Sequence, residues 1–162
     1  MTTTDEDQRF MRRAIELSRQ AALIDCTGGP FGCVITRDGE IIGEGFNQVI
    51  TENDPTWHGE IAAIRQAGQR LQTFDLSGCT LYTSAEPCPM CEAAIYWARI
   101  DRVVFAARCT DAAAHGDFDD SAIYADLCKP LGDRKIPHQE LLRSEALVVW
   151  QEYEQKSDRL PY

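Results

Sequence analysis

The first element that the hydrophobic pattern predicts is an amphipathic helix at the start of the chain. Apolar side chains recur at spacings of four, three and four residues, which places them on one face of an α-helix. The pattern extends to about residue 23 and follows a threonine suited to cap a helix N-terminus. The residues concerned are the cap Thr4 and the apolar positions Phe10, Ala14, Leu17 and Ala21.

Farther along, short apolar stretches alternate with helical patterns. Two of the stretches flank Asp38–Gly39, a tight-turn signal that predicts an antiparallel hairpin. The later succession of strand and helix predicts parallel strands joined by crossover helices. Residues 47–55 and 108–119 are predicted to be loops. Strands are expected at 31–37, 40–46, 79–83, 102–107 and 136–142, and helices at 57–71, 88–99, 120–128 and 144–156.

The predicted elements fit one domain. The chain has 162 residues, enough to bury a sizeable core, and neither a repeat nor a linker divides it. We therefore expect a single α/β domain over residues 1–162, built as three α/β/α layers on a five-stranded mixed sheet. Residues 157–162 have no helical pattern and are expected to form a C-terminal tail or lid.

Composition narrows the class of protein. No apolar run approaches the roughly 18 residues of a membrane-spanning helix, and the N-terminus is polar and acidic, so neither a membrane association nor a signal peptide is expected. The seven cysteines then favour a reducing cytoplasm. Five of them lie outside any motif and are predicted to be small buried apolar side chains.

The net charge is −10, and no basic cluster occurs beyond Arg12 and Arg13. A protein that docks on folded RNA or on duplex DNA needs a surface of lysine and arginine to displace counterions. The charge balance therefore predicts no nucleic-acid partner and favours a small-molecule substrate.

Two cysteines and a histidine have the spacing of a metal site. Cys88 and Cys91 are three residues apart, so both thiolates can reach one ion from the first turn of a helix. His58 supplies a third donor, and one imidazole with two thiolates suits zinc. Three protein ligands leave the fourth tetrahedral position open, which is typical of catalytic zinc. We expect one zinc ion per subunit.

Glu60, two residues after His58, indicates which reaction the metal site catalyses. The pattern H-x-E…P-C-x-x-C is the signature of zinc-dependent base deaminases, in which the glutamate carries protons and does not bind the metal. Zinc can lower the pKa of its bound water to roughly 7, and Glu60 would pass one proton to a ring nitrogen and a second proton to the departing amine, which leaves as ammonia. Alone, Glu60 could also be a solvated acid at a helix start.

Two simpler interpretations of the cysteine pair compete. A thioredoxin-like redox pair would also follow a strand, but it leaves His58 and Glu60 without a role. A structural zinc site would need a fourth ligand, and the cysteines available by type do not form a second spaced pair. Those cysteines are Cys26, Cys33 and Cys79.

With these residues placed, the sequence resembles the cytidine/deoxycytidylate deaminase superfamily and, within it, the bacterial guanine deaminases. The resemblance covers nearly the whole chain. The matching stretches are Gly28-Gly29-Pro30-Phe31-Gly32, Asn53-Asp54-Pro55-Thr56, Glu86-Pro87-Cys88-Pro89-Met90-Cys91, Ala94-Ile95-Tyr96-Trp97-Ala98-Arg99, Phe118-Asp119-Asp120-Ser121 and the final Tyr162.

The resemblance implies roles that the residues alone would not indicate. Phe31 would stack on a purine, Asn47 would hydrogen-bond its edge, Asp120 would help to recognise it, and Trp97 would form a pocket wall. The resemblance also implies a homodimer that exchanges C-terminal segments, with Tyr162 as a lid residue. Judged alone, Phe31 and Trp97 would be core aromatics, Asn47 a turn residue, Asp120 a helix cap and Tyr162 a frayed end.

The activity that the resemblance implies is hydrolysis of guanine to xanthine and ammonia. The alternatives are the same chemistry on an aminotriazine, cytosine or guanosine, deamination of tRNA adenosine, and a binding protein that has lost catalysis. One departure from the family pattern bears on the substrate: Trp57 stands where a small residue is usual. Its ring could narrow the pocket or add a stacking surface, so the sequence leaves the effect of Trp57 on the choice of base open. The changes at Gly59 and Ala85 are expected to be harmless.

Overall fold

In the structure, a computed structural model, residues 4–159 are described. The four strands within this range are β1 (Gly32–Arg37), β2 (Glu40–Phe46), β3 (Thr80–Ala85) and β4 (Arg102–Ala107). The α-helices are α1 (Asp5–Arg19), α2 (Val49–Glu52), α3 (Gly59–Leu71), α4 (Pro89–Trp97), α5 (Cys109–Gly116), α6 (Ser121–Leu127) and α7 (Arg143–Gln155). A π-helical turn, Gln20–Ile24, extends α1, and a 3₁₀ turn lies at Leu131–Asp133.

The strands form one mixed sheet in the order β2-β1-β3-β4. β1 and β2 form the predicted antiparallel hairpin, and Asp38 and Gly39 at its turn both have the positive φ angles of a primed turn. β3 pairs antiparallel with β1, and β4 pairs parallel with β3. The crossover β3–α4–β4 therefore joins neighbouring strands as predicted, whereas the connection through α3 passes over β1.

The prediction of a fifth strand at 136–142 is wrong. Over the described residues the sheet has four strands, and this segment is irregular up to the start of α7. Pro137 cannot donate to a strand ladder, and Leu142 has a left-handed backbone with φ of 55°. Neither end of the segment can therefore continue a strand.

Helices cover both faces of the sheet, which gives the predicted three layers. On one face, α3 and α4 pack over a core that includes Cys33, Ile35 and Leu81. On the other face, α1 packs on Val34 and Tyr82. Successive residues of β1 and β3 thus point to opposite layers, as the period of a strand requires.

A buried carboxylate ties α1 to the sheet. Asp7 and Thr4 form a reciprocal cap at the start of α1, and Tyr82 Oη donates to Asp7 Oδ1 at 2.7 Å. Arg102 donates to both carboxylate oxygens of Asp7, at 2.7 and 3.1 Å. These bonds, Arg102 foremost, hold the pKa of Asp7 well below its usual range. Burial and the neighbouring carboxylate raise the pKa of Tyr82 to about 12.

Several predicted boundaries shift in the structure. The second predicted helix begins at Gly59, two residues later than expected, because His58 is an extended cap residue. The segment 108–119, predicted to be a loop, contains α5, which the run of alanines at 112–114 stabilises. The loop 47–55 contains the single turn α2.

The prediction that five cysteines outside the motif are buried is wrong for three of them. Cys33 and Cys79 are fully buried, but Cys26, Cys109 and Cys128 are exposed. Cys26 has a positive φ just after the π-helical turn, and Cys109 begins α5. Both positions lie outside the strands and helix faces that build the core.

The chain divides into two compact units at Ser121/Ala122, and the site described below lies entirely in the first. The second contains most of α6, the 3₁₀ turn and α7. None of its residues from 122 to 159 is buried in this chain. The single domain predicted from the sequence stays a prediction.

No helix within residues 4–159 has both the length and the apolar character needed to cross a bilayer.

Candidate active site

Three donor atoms from two helix N-termini converge at one end of the sheet. His58 caps α3 and Cys88 caps α4, both with extended backbones, and Cys91 follows in the first turn of α4. His58 Nδ1 lies 3.5 Å from Cys88 Sγ and 3.5 Å from Cys91 Sγ. The three donor atoms all lie within 4.8 Å of one another. Among the described residues, this is the group of histidine, cysteine and acidic side chains that could hold a metal ion.

The spacing of these atoms fits zinc. With Zn–S bonds of about 2.3 Å and Zn–N bonds of about 2.0 Å, a tetrahedral ion holds its nitrogen and sulfur ligands about 3.5 Å apart. The observed distances match that value. Hydrogen bonding with Cys91, opposed in part by burial and assisted by His58, lowers the pKa of Cys88 to about 4. Cys88 therefore ionises readily, as a zinc ligand must.

Glu60 lies beside the donor set on the second residue of α3. It is only 4% exposed. Thr83 Oγ1 donates to Glu60 Oε1 at 3.0 Å, and Cys91 Sγ lies 3.4 Å from Glu60 Oε2. Burial raises the pKa of Glu60 above its ordinary value. A carboxyl group whose pKa moves toward neutrality is suited to both accept and release a proton.

A cavity of about 260 Å³ opens onto these groups. Since pockets for drug-sized ligands span roughly 300–1,000 Å³, this volume suits a small molecule such as a single heterocycle. Its surface is mostly apolar, with polar groups at a few positions. It is lined by Gly28, Gly29, Phe31, Asn47, Val49, Ile50, Pro55, His58, Glu60, Glu86, Cys88, Cys109, Ala112, Phe118 and Asp120.

Two aromatic rings form part of the cavity wall. Phe31 and Phe118 meet edge to face, with ring centroids 5.0 Å apart and planes at 79°. The backbone on either side of Phe31 is fixed, because Phe31 O accepts from Asn47 N at 2.9 Å and Gly32 N donates to Ser84 Oγ at 3.0 Å. An aromatic face is therefore held at a set position in the cavity.

Hydrogen bonds at the backbone N–H, the backbone carbonyl and the side-chain oxygen fix the orientation of Asn47. Its carbonyl accepts from Thr27 Oγ1 at 2.7 Å, and its Oδ1 accepts from Val49 N at 3.2 Å. The side-chain NH₂ is thereby left as the group that Asn47 can direct into the cavity. Any side chain at Gly28 would collide with Asn47 Oδ1, so the close approach requires glycine there.

The comparison with known proteins identifies the family. The family model for the cytidine and deoxycytidylate deaminase zinc-binding region matches residues 4–107. Over 155 residues the chain is 46% identical to guanine deaminase from Bacillus subtilis, a match that covers 96% of this chain and 98% of that protein. The chain belongs to the cytidine and deoxycytidylate deaminase family. Zinc is its cofactor, in agreement with the donor set above.

Solved structures of family members agree with the fold. The X-ray structure of guanine deaminase from Bacillus subtilis matches with a TM-score of 0.91, covering 96% of this chain and 98% of that chain at 46% identity. A structure of a mutant protein in complex with 8-azaguanine matches with a TM-score of 0.65 at 37% identity, over 71% of this chain and 65% of that one. A tRNA-specific adenosine deaminase from Haemophilus influenzae is 43% identical over 102 residues, 62% of this chain and 58% of that protein.

Asp120 is an acidic side chain that lines the cavity of this deaminase together with Glu60 and Glu86. The neighbouring Asp119 accepts from Ser121 N at 2.9 Å, so Asp119 makes the turn at the start of α6. Asp120 lines the cavity, and partial burial raises the pKa of its carboxyl group. The role of Asp120 in recognition remains a prediction.

In the described chain, Trp57 neither narrows the cavity nor offers it a stacking surface. Its ring does not line the cavity; it lies in a separate groove with Arg13, Glu44 and Arg65. The indole N–H donates to Gln48 Oε1 at 3.0 Å, and the Arg65 guanidinium lies 5.3 Å from the ring centroid. These contacts hold the ring away from the metal ligand that follows it in sequence.

Trp97 is a further aromatic residue that the family resemblance assigns to the pocket. It lies at the C-terminal end of α4, is 68% exposed, and does not line the cavity of the described chain. Its predicted role as a pocket wall stays a prediction. Tyr162, the predicted lid residue, lies outside the described residues.

Sequence reasoning gave no role to several lining residues. Phe118 and Glu86 belong to stretches that match the family, but the sequence assigns neither of them a role. Cys109 and Ala112 lie in a segment that the sequence predicts to be a loop. The Glu86 carboxylate accepts a hydrogen bond from Cys109 N at 3.0 Å at the start of α5, the helix that contains Cys109 and Ala112. The alanine run after Cys109 is the signal that could have indicated this helix.

Proposed function

We propose that this protein catalyses the zinc-dependent hydrolytic deamination of a free purine base, converting guanine and water to xanthine and ammonia. The observation that carries the proposal is a buried carboxyl group, Glu60, beside a His/Cys/Cys donor set in a cavity of about 260 Å³. Support comes from the guanine deaminase relative and from the related structure with 8-azaguanine.

The proton transfers are assigned to Glu60. Bound zinc supplies Lewis-acid activation of a water molecule. In the proposed reaction Glu60 accepts a proton from that water and delivers it to a ring nitrogen, which makes the amino-bearing carbon more electrophilic. The oxygen of the water bonds to that carbon. Glu60 then takes the second water proton from the new hydroxyl group and gives it to the amine, so the carbon–nitrogen bond breaks, ammonia leaves and the carboxylate is regenerated. Its raised pKa supports both halves of this exchange.

The remaining pocket residues are proposed to hold the base. The Asn47 NH₂ group would donate to an acceptor on the purine edge, and the Asp120 carboxylate would accept from a ring N–H. The Phe31 ring would stack on the base, supported by Phe118. A carboxylate that accepts a ring N–H favours a free base over a nucleoside, whose sugar replaces one such hydrogen.

We expect guanine to be the best substrate in a panel of zinc-loaded assays that measure ammonia release. The panel contains guanine, guanosine, cytosine, an aminotriazine and tRNA, because these are the alternatives for this chemistry. Guanine should exceed each of them at least 100-fold in kcat/KM. Turnover of another member with guanine inert would contradict the assignment, and tight tRNA binding with a steep salt dependence would favour the tRNA class.

We also propose that the protein is a homodimer in which C-terminal segments are exchanged. The support comes from the second unit. None of its residues 122–159 is buried in this chain, and many of its large apolar side chains are exposed. Such a segment lacks a core of its own and is expected to pack on a second copy. The exposed side chains include Ile123, Leu127, Leu131, Ile136, Leu141, Leu142, Val148, Val149 and Trp150.

Mixed dimers test the exchange. One chain carries Glu60→Gln with an intact Tyr162, and the other carries Tyr162→Ala with an intact Glu60. If segments are exchanged, the mixed dimer contains one fully restored site, and activity should rise well above that of either variant alone. Activity equal to the average of the two parents would contradict an exchange, and a monomeric mass by light scattering would contradict the dimer itself.

The cytoplasm is the proposed compartment. All seven cysteines lie within the described residues and are free thiols. Free thiols persist in a reducing environment, which supports this location.

A further inference from the structure

We propose that Thr83 is a positioning residue for Glu60: its hydroxyl holds one carboxylate oxygen so that the other faces the metal site. This inference rests on the proposed deaminase function. Thr83 lies in β3, is 1% exposed, and its Oγ1 is 3.0 Å from Glu60 Oε1. Glu60 itself is almost fully buried, so bulk solvent has little access to this bond.

The position of Thr83 in the sheet is one that an apolar residue would ordinarily occupy. Leu81 points to the α3/α4 face of β3, and the strand period turns Thr83 to the same face. Thr83 lies opposite the buried Cys33 of β1 in the antiparallel register. A hydroxyl group buried among such neighbours is costly unless it is hydrogen-bonded. Its bond to Glu60 meets that requirement and gives the hydroxyl a function.

The neighbouring residue shows that β3 serves two parts of the site. Ser84 points to the opposite face, where its Oγ accepts from Gly32 N at 3.0 Å and lies 3.4 Å from Pro30 O. Ser84 thus steadies the backbone around Phe31, while Thr83 contacts Glu60. Because side chains alternate along β3, Ser84 supports the cavity wall from one face of the sheet and Thr83 supports Glu60 from the other.

Glu60 needs such a donor because a carboxylate turns easily about its last torsion. The terminal χ angle of glutamate has a broad distribution, so packing alone does not fix which oxygen faces the metal. Of the two oxygens, Oε2 lies 3.4 Å from Cys91 Sγ. A cysteine that ligates zinc is a thiolate and cannot donate a hydrogen bond. Thr83 therefore remains the side-chain donor that orients Glu60 in the zinc-loaded protein.

The branched side chain of Thr83 makes it a rigid donor. Two heavy atoms on Cβ restrict χ1, so the hydroxyl keeps its direction within the strand. Valine has the same shape without the hydroxyl, and serine keeps the hydroxyl without the methyl group. The pair of variants separates the hydrogen bond from the packing.

The test compares Thr83→Val, Thr83→Ser and the control Thr36→Val in zinc-loaded protein. Thr36 is a buried threonine of β1 that does not line the cavity. We expect Thr83→Val to lower kcat for guanine about 10- to 100-fold, the range for a hydrogen bond to a charged group, with KM within about twofold. Thr83→Ser and Thr36→Val should keep kcat within about threefold. Zinc content should remain one per chain in all three.

A second readout does not depend on turnover. Carbon-13 NMR of the Glu60 carboxyl, assigned by its loss in Glu60→Gln, should show a shifted or broadened resonance in Thr83→Val and a near wild-type one in Thr83→Ser. Should Thr83→Val fail to fold, Thr83→Ala removes the same hydroxyl and is expected to show the same changes.

Three results would overturn the proposal. They are an unchanged Glu60 resonance in Thr83→Val, an unchanged kcat in that variant, and a loss in Thr83→Ser as large as that in Thr83→Val. The proposed function fails separately, if the zinc-loaded wild type does not deaminate guanine. In that case the NMR comparison still decides whether Thr83 orients Glu60.

Discussion

Replacing Glu60 with glutamine is expected to lower kcat for guanine about 10³-fold while the protein keeps one zinc ion per chain. Glutamine fills the same buried volume and can still accept a hydrogen bond from Thr83, but it cannot carry a proton. The loss should therefore appear in turnover and leave metal binding intact. The measurement is xanthine formation under saturating guanine, together with metal analysis of the same sample.

Glu92→Gln is the matched control, because Glu92 also lies in the first turn of a helix at the site but does not line the cavity. It should keep kcat within about twofold. A zinc-loaded Glu60→Gln protein with near wild-type kcat would remove Glu60 from the mechanism. A variant that lost zinc together with activity would instead indicate a role in metal binding.

Removal of a metal ligand is expected to abolish both zinc binding and turnover. In Cys91→Ala or His58→Ala, two protein donors remain, which is too few to retain a catalytic zinc ion against dilution. Zinc should fall below about a tenth of an ion per chain by metal analysis, and guanine turnover should fall at least about 10³-fold.

Cys79→Ala is the control for the loss of a buried thiol. Cys79 is fully buried, as Cys91 is, but it belongs to the core between the sheet and α3/α4. Its replacement should keep zinc at one per chain. Full zinc occupancy in Cys91→Ala would contradict the assigned ligand set, as would equal loss of zinc in Cys79→Ala.

The sequence predicted the donor set because its chemistry depends on local spacing. Cys88 caps one helix and Cys91 lies in its first turn, while His58 caps another helix and Glu60 lies in its first turn, so a short motif fixes each half. The sheet places the two helix N-termini together, which agrees with the resemblance to deaminases. The hairpin at Asp38–Gly39 and the parallel crossover to β4 are likewise local patterns, and both predictions are confirmed.

The predictions that failed depended on tertiary context. Whether the residues at 136–142 extend into a strand depends on neighbours that can pair, and the backbone at Leu142 turns away from that conformation. The direction of the Trp57 ring, which the sequence left open, depends on its contacts with Gln48 and Arg65. Thr83 illustrates the same limit, because nothing in its local sequence indicates a bond to a residue on α3.

The central claim is that this protein hydrolyses the amino group of guanine. Its most direct test is mass spectrometry of the product formed by zinc-loaded wild-type protein in water enriched in oxygen-18. We expect xanthine that carries one labelled oxygen at the carbon that bore the amino group, with one ammonia released per xanthine. Unchanged guanine after prolonged incubation, or a product without the label, would contradict it.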